Sequence, residues 1–186
     1  MMPTSPAHAR APMLVWDASP LHHAIKAGKI DVLADIARNG GGAPRLNVTT
    51  QAVVSELEHY RLPVVDLTWL DVVHVDDLDE IESLVRWMTR VSGSKSNQGE
   101  ATVLAWAEVH GAIAVLDDAD ARRIARREGL EVWGSLRVLA ESVSSGYVTS
   151  YVATTLVDAM IESGARYPAA CSRGRFIHWA KDAGLL

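Results

Sequence analysis

The chain has 186 residues, a formal net charge of −5 at pH 7 and a single cysteine, Cys171. One cysteine excludes an internal disulfide and a cysteine-rich zinc site, and the acidic balance excludes a broadly basic nucleic-acid coat, though not an enzyme with one local basic patch. The 48% hydrophobic composition is ordinary for a globular chain, and no stretch approaches the roughly 18 apolar residues of a membrane span.

That length fits one domain with an appendage. Residues 1–12 carry prolines, a histidine and an arginine without an apolar core, so they read as a disordered tail rather than a secretory signal. The globular domain is expected over 13–167 and a helical extension over 168–186. A reducing cytoplasm is the expected location, with no membrane association.

Met13–Trp16 reads as a buried strand that runs into Asp17. Ser19 is read as the N-cap of the helix that follows, with Pro20 in its first turn. Ile30 to Ala37 makes a second helix, closed by Gly40-Gly41-Gly42. Leu46-Asn47-Val48 is a short strand, and Thr49 or Thr50 caps a helix bearing Val53, Val54 and Leu57. Residues 62–71 are irregular. A strand is expected over Val72-Val73-His74-Val75, then a helix with Ile81, Leu84, Val85 and Met88 on its apolar stripe. Gly93-Ser94-Lys95-Ser96 is a polar break, and Asn97 opens a helix that Gly111 closes.

Ala112-Ile113-Ala114-Val115-Leu116 is a second apolar run that ends in carboxylates, at Asp117 and Asp118. A compact helix follows over Ala119–Glu128, then a strand over Leu130–Trp133 and helices over 136–144, 151–163 and 173–183. Strands alternating with helices at this spacing predict an α/β fold with a central parallel sheet and helices on both faces. Two buried strands that deliver carboxylates to one edge predict an acidic site there, because ligands of open parallel sheets bind at the carboxyl ends of the strands.

The ordered series Asp17-Ala18-Ser19-Pro20-Leu21, Val53-Val54-Ser55-Glu56-Leu57, Gly99-Glu100-Ala101 and Leu116-Asp117-Asp118-Ala119-Asp120-Ala121-Arg122 resembles the PIN-domain family. The branch it most resembles is the VapC-like toxin ribonucleases of bacterial toxin–antitoxin pairs. Further matches lie in residues 129–136 and 156–164, so the resemblance covers roughly Met13 to Tyr167. It implies a three-layer α/β/α fold and RNA cleavage that depends on Mg²⁺ or Mn²⁺. Carried over by position, the catalytic and metal-binding residues are Asp17, Glu56, Glu100 and Asp118, with Asp117 a rival for the last place. The resemblance also implies RNA as substrate and an antitoxin protein as partner, and it admits a homodimer.

That chemistry is sound on elementary grounds. Hard cations take oxygen ligands at about 2.0–2.1 Å and keep several waters. A few carboxylates therefore suffice, and the substrate phosphate completes the sphere, with a second ion allowed at roughly 3.5–4 Å. Each carboxylate also has a plainer reading. Asp17 can cap the helix at Pro20, although Ser19 is better placed. Glu56 borders the apolar stripe and is expected to lean inward. Glu100 lies three residues after Asn97, as in a capping box. Asp117 and Asp118 alternate faces, so one can reach the site while the other caps the following helix. Asp120 is an outer group of the site or a partner of the helix dipole.

Arg122, Arg123, Arg126 and Arg127 mark the exposed side of the helix after Asp118. Arg122 and Arg126 are the expected RNA-phosphate contacts, with Ser19 a further substrate contact or a cap. The histidines have no ligand spacing, and Trp69, Trp87 and Trp106 are expected to pack among helices. A non-catalytic PIN-like module that binds RNA or protein is the main alternative. A phosphatase with an aspartate nucleophile wants a second aspartate where this chain has Ser19, and a phosphorylatable receiver wants a lysine where the last strand ends at Trp133.

Overall fold

The computed structural model describes residues 12–91 and 98–186. The expected tail up to residue 11, the polar break at 93–96 and the role of Asn97 lie outside the described residues.

The strands are β1 (Met13–Trp16), β2 (Leu46–Thr50), β3 (Asp71–Val73), β4 (Ile113–Val115) and β5 (Val132–Trp133). The helices are α1 (Ala18–Lys26), α2 (Ile30–Asn39), α3 (Gln51–His59), α4 (Leu78–Val91), α5 (Gln98–His110), α6 (Ala119–Arg127), α7 (Ser135–Ser144), α8 (Ser150–Glu162) and α9 (Phe176–Asp182), with a 3₁₀ turn at Val64–Leu67. The expected strand at 72–75 is shorter and begins one residue earlier, at Asp71.

All four strand pairings are parallel, in the order β3-β2-β1-β4-β5. The chain builds outward from β1 through β2 to β3, then returns to the other side of β1 for β4 and β5. The connections leaving β1 and β4 therefore diverge, and the crevice between them opens at their carboxyl ends. Asp17 follows β1 and Asp117-Asp118 follow β4, so both apolar runs deliver their carboxylates to this crevice.

Helix α5 crosses the sheet over β1, β2 and β4. Gly99 and every residue from Ala101 to Ala107 are buried in it, as expected of a helix that is apolar all round. Gly111 ends it in a left-handed conformation, φ 60°, which an L side chain adopts only with strain. Helices α1, α2, α7 and α8 form the opposite layer, and α9 packs on α8. No helix among the described residues is long and apolar enough to cross a membrane.

Helix α4 corrects the expected stripe. Ile81, Val85 and Met88 are exposed, whereas Glu80, Ser83, Trp87 and Val91 face inward toward α5. The seam is polar. Glu80 accepts from the Asp76 and Asp77 backbone N–H groups and pairs with His110 at 2.7 Å. Ser83, Arg86 and Trp87 all donate to Glu108. These bonds satisfy the buried polar groups, so the helix buries them and leaves Ile81, Val85 and Met88 outside. Trp69, Trp87 and Trp106 are buried, as expected.

Candidate active site

Asp17 is almost fully buried. It, rather than Ser19, is the N-cap of α1: its Oδ2 accepts from the Ser19 N–H at 3.3 Å. Capping consumes one oxygen at one end of the carboxylate. The Asp17 N–H donates to the Val115 carbonyl at 3.1 Å, which ties the end of β1 to the end of β4. Burial, then the nearby Glu56 and Asp117 charges, push the Asp17 carboxyl up to about 7 against the pull of its cap bonds.

Glu100 stands in the first turn of α5 and is half-buried. Burial raises it to about 8, followed by the repulsion of Asp17, Asp118 and Glu56. Glu56, on α3, is exposed rather than turned toward the core, yet its carboxylate lies over the backbone of Gly99. Desolvation there raises it as well. The Thr50 and Thr102 hydroxyls, 2.8 Å apart, lock the start of α5 to the end of β2. Thr50 Oγ also caps α3 by accepting from Val53 N–H, and Thr102 Oγ donates to the Gly99 carbonyl. This pair positions both glutamates, and the sequence reading missed it; two threonines 52 residues apart carry no pairing signal.

The two aspartates after β4 separate as strand alternation requires. Asp118 is exposed and caps α6 through Oδ1, which accepts from Ala121 N–H at 2.8 Å. Its Oδ2 has no hydrogen bond among the described residues. Asp117 turns the other way. It accepts from the Ser135 backbone N–H at 2.8 Å and from the Ser135 hydroxyl on both oxygens, and Tyr167 Oη lies 2.9 Å from that hydroxyl. Burial raises the Asp117 carboxyl, opposed by Ser135 and by Arg122. Asp118 is thus both cap and free carboxylate, while Asp117 is spent on structure.

Ser19 is half-buried beside Asp17. Arg122 is not solvated as its neighbours are: Nη1 donates to the Leu116 carbonyl at 2.7 Å, bracing the end of β4. Arg126 and Arg127 are exposed, and Arg123 is engaged with Asp120 at 2.7 Å, which makes Asp120 a surface partner of the helix.

Asp17, Glu56, Glu100 and Asp118 thus surround one crevice, and none has a lysine or arginine within ion-pair distance among the described residues. For buried Asp17 and half-buried Glu100, the lack of a countercharge favours uptake of a proton or a cation. Among the described residues no three side chains of ligating type stand close enough to cage an ion unaided. A hard cation such as Mg²⁺ binds proteins through one or two carboxylates and fills its sphere with water and substrate phosphate.

Comparison with known proteins agrees with this fold. A family model described as DUF3368, a PIN domain, matches residues 13–176. A PilT N-terminus domain protein from the hyperthermophilic archaeon Sulfolobus solfataricus P2 superposes with a TM-score of 0.50 at 20% identity, over 70% of this chain and 93% of that one. No curated protein matches.

Proposed function

Since the chain belongs to the PIN-domain family, a nuclease-type fold, we propose that it is a divalent-metal-dependent ribonuclease that hydrolyses RNA phosphodiesters. The observation that carries this reading is the grouping of Asp17, Glu56, Glu100 and Asp118 at the crevice between β1 and β4 with no cationic side chain paired to them among the described residues. Mg²⁺ or Mn²⁺ bound there would supply charge neutralisation for the scissile phosphate and an activated water.

This chain's own residues supply placement. Asp17 is fixed by its cap bond and by the Val115 carbonyl. The Thr50–Thr102 pair fixes the first turn of α5, which carries Glu100, and Asp118 is fixed by its bond to Ala121. Ligands held this way lose little freedom when an ion and a phosphate arrive. Raised Asp17 and Glu100 carboxyls hold a proton near neutral pH, so loading the site releases it. Ser19 and Arg126 flank the edge as substrate contacts. A non-catalytic module is the weaker reading, because capping accounts for Asp17 and Asp118 but not for Glu56 and Glu100 beside them.

The narrower role is a toxin of a toxin–antitoxin pair in the cytoplasm, supported by the ordered acidic motifs that resemble that branch. An antitoxin would then be the protein partner, and a homodimer is an assembly consistent with the family. Incubating single-stranded RNA with the protein in Mg²⁺, in Mn²⁺ and in EDTA tests the enzymatic reading. Cleavage confined to the metal-containing arms is expected; undiminished cleavage in EDTA, with contaminating nuclease excluded, refutes it.

A further inference from the structure

Behind the carboxylate crevice, α6, α7 and the segment from Arg166 onward line an open-mouthed cavity of about 280 Å³. Asp117, the neighbour of Asp118, forms part of its wall, so the cavity adjoins the proposed metal edge. Four arginines line it: Arg122, Arg126, Arg137 and Arg166. In a chain of net charge −5 this is a strong local concentration of positive charge.

These guanidiniums are poorly balanced. Arg122, Arg126 and Arg166 have no ion pair within 4.0 Å among the described residues, and Arg137 approaches Glu141 only at that limit. Arg137 Nε is buried without a hydrogen-bond partner. Arg122 spends one N–H on the Leu116 carbonyl, which holds its plane in place and leaves the others free. The one carboxylate in the wall, Asp117, already accepts from Ser135 on both oxygens. Arg137 is engaged, stacked over Trp133 at 4.6 Å, whereas the guanidinium forks of Arg122, Arg126 and Arg166, without a carboxylate partner among the described residues, are suited to phosphate. Leu136, Pro168 and Trp179 add apolar surface to the wall, and the Trp179 ring is a face on which a base can stack. The volume is at the low end of small-molecule sites, roughly 300–1,000 Å³, and so takes one nucleotide rather than a longer strand. Trp179 lies beyond the family match, which ends at residue 176.

We propose that this cavity is a nucleotide subsite for the RNA substrate: the arginines receive a phosphate one nucleotide away from the cleaved bond, and Trp179 and Leu136 receive the base. The proposal rests on the reading of the protein as an RNA enzyme, but it is tested by binding and not by turnover.

The test is anisotropy of 3′-labelled single-stranded RNA in EDTA, on the full chain. Arg126→Gln/Arg166→Gln removes two exposed cavity arginines without touching the core. Lys26→Gln/Arg38→Gln, on α1 and α2, makes the same change in net charge elsewhere. The cavity pair should weaken binding at least tenfold and lower the log–log salt slope by about 0.7, the value for one phosphate contact on a single strand. The control pair should change binding less than threefold. Adenosine 5′-monophosphate should displace RNA from wild type, and adenosine should not. Equal losses in the two pairs, or failure of the nucleotide to compete, overturns the proposal. Nucleotide binding without RNA binding also overturns it and assigns the cavity to a free mononucleotide. Cleavage in Mg²⁺ is measured alongside. Cleavage with unaltered binding by the cavity variant refutes the subsite alone; binding through the cavity without any cleavage refutes the nuclease reading alone.

Discussion

The carboxylate of Glu56 occupies the space that a side chain at Gly99 would need: a Cβ built on Gly99 would meet Glu56 Oε2 at 2.7 Å. The helix that carries Glu100 thus makes room, by lacking a side chain one residue earlier, for the glutamate that arrives from α3. Gly99→Ala should therefore inactivate without destabilising. The nearest other atom, Val53 Cγ2, is at ordinary contact distance, 3.6 Å. Glu56 is the end of a flexible, exposed side chain and can swing away. Alanine also favours the helix by up to about 1 kcal/mol. Thermal melting should be unchanged or higher, while Mn²⁺ affinity and RNA cleavage fall at least tenfold. A variant that keeps both would show that the placement of Glu56 is immaterial.

The metal-free site should make stability depend on pH in a defined direction. Asp17 and Glu100 have folded-state values of about 7 and about 8, above their ordinary values of 3.8 and 4.5. A raised folded value means that the native state holds the extra proton, so the favourable contribution is complete below about pH 4 and is lost as pH rises through 7 to 8. The two groups repel each other, so the window belongs to the pair. In EDTA, the melting temperature of wild type should fall between pH 5 and pH 8. Glu100→Gln should flatten that fall and melt higher than wild type at pH 8. An equally steep fall in Glu100→Gln would place the titration elsewhere.

Asp118 carries two duties that different substitutions separate. Asn is as good an N-cap as Asp, whereas Ala costs about 1 kcal/mol. Asp118→Asn should melt no lower than wild type in EDTA yet gain less from Mg²⁺, because a weaker site gives less stabilisation at the same ion concentration. Asp118→Ala should lose both. Asp117→Asn should retain the Mg²⁺ gain, since Asp117 is committed to Ser135. If Asp117→Asn loses the gain and Asp118→Asn keeps it, the two assignments are reversed.

Binding of the ion should displace protons. Calorimetric titration of Mn²⁺ at pH 7 in two buffers of different ionisation enthalpy should give different apparent heats, with release of a fraction of a proton up to one per ion. Identical heats would mean that Asp17 and Glu100 are already ionised in the free protein.

The sheet and the aspartates were legible in the sequence because a buried parallel strand is a short apolar run, and Asp17 and Asp118 interrupt two such runs at their carboxyl ends. The cap assignment at α1 was not, because Ser19 and Asp17 are both good caps and only the backbone path decides which one starts the helix. Helix α4 misled the periodicity argument for a physical reason: Glu80, Ser83 and Trp87 face α5 through hydrogen bonds to His110 and Glu108, and a count of apolar residues is blind to a polar seam. Arg122 read as solvated because its partner is a backbone carbonyl at the end of β4, which no side-chain pattern reports. The arginine-lined cavity joins Arg122 to Arg166 and Trp179, and only the tertiary fold brings them together.

The most direct test of the central claim is Asp17→Asn, assayed for single-stranded RNA cleavage at saturating Mn²⁺ beside wild type. The amide keeps the shape and the helix cap but is a poor ligand for a hard cation. The expected result is a folded protein, melting as high as wild type or higher in EDTA, whose cleavage falls at least a hundredfold and is not restored by more metal. Cleavage by Asp17→Asn near the wild-type rate would contradict the account, because it would remove the one buried carboxylate at the junction of β1 and β4 from the chemistry.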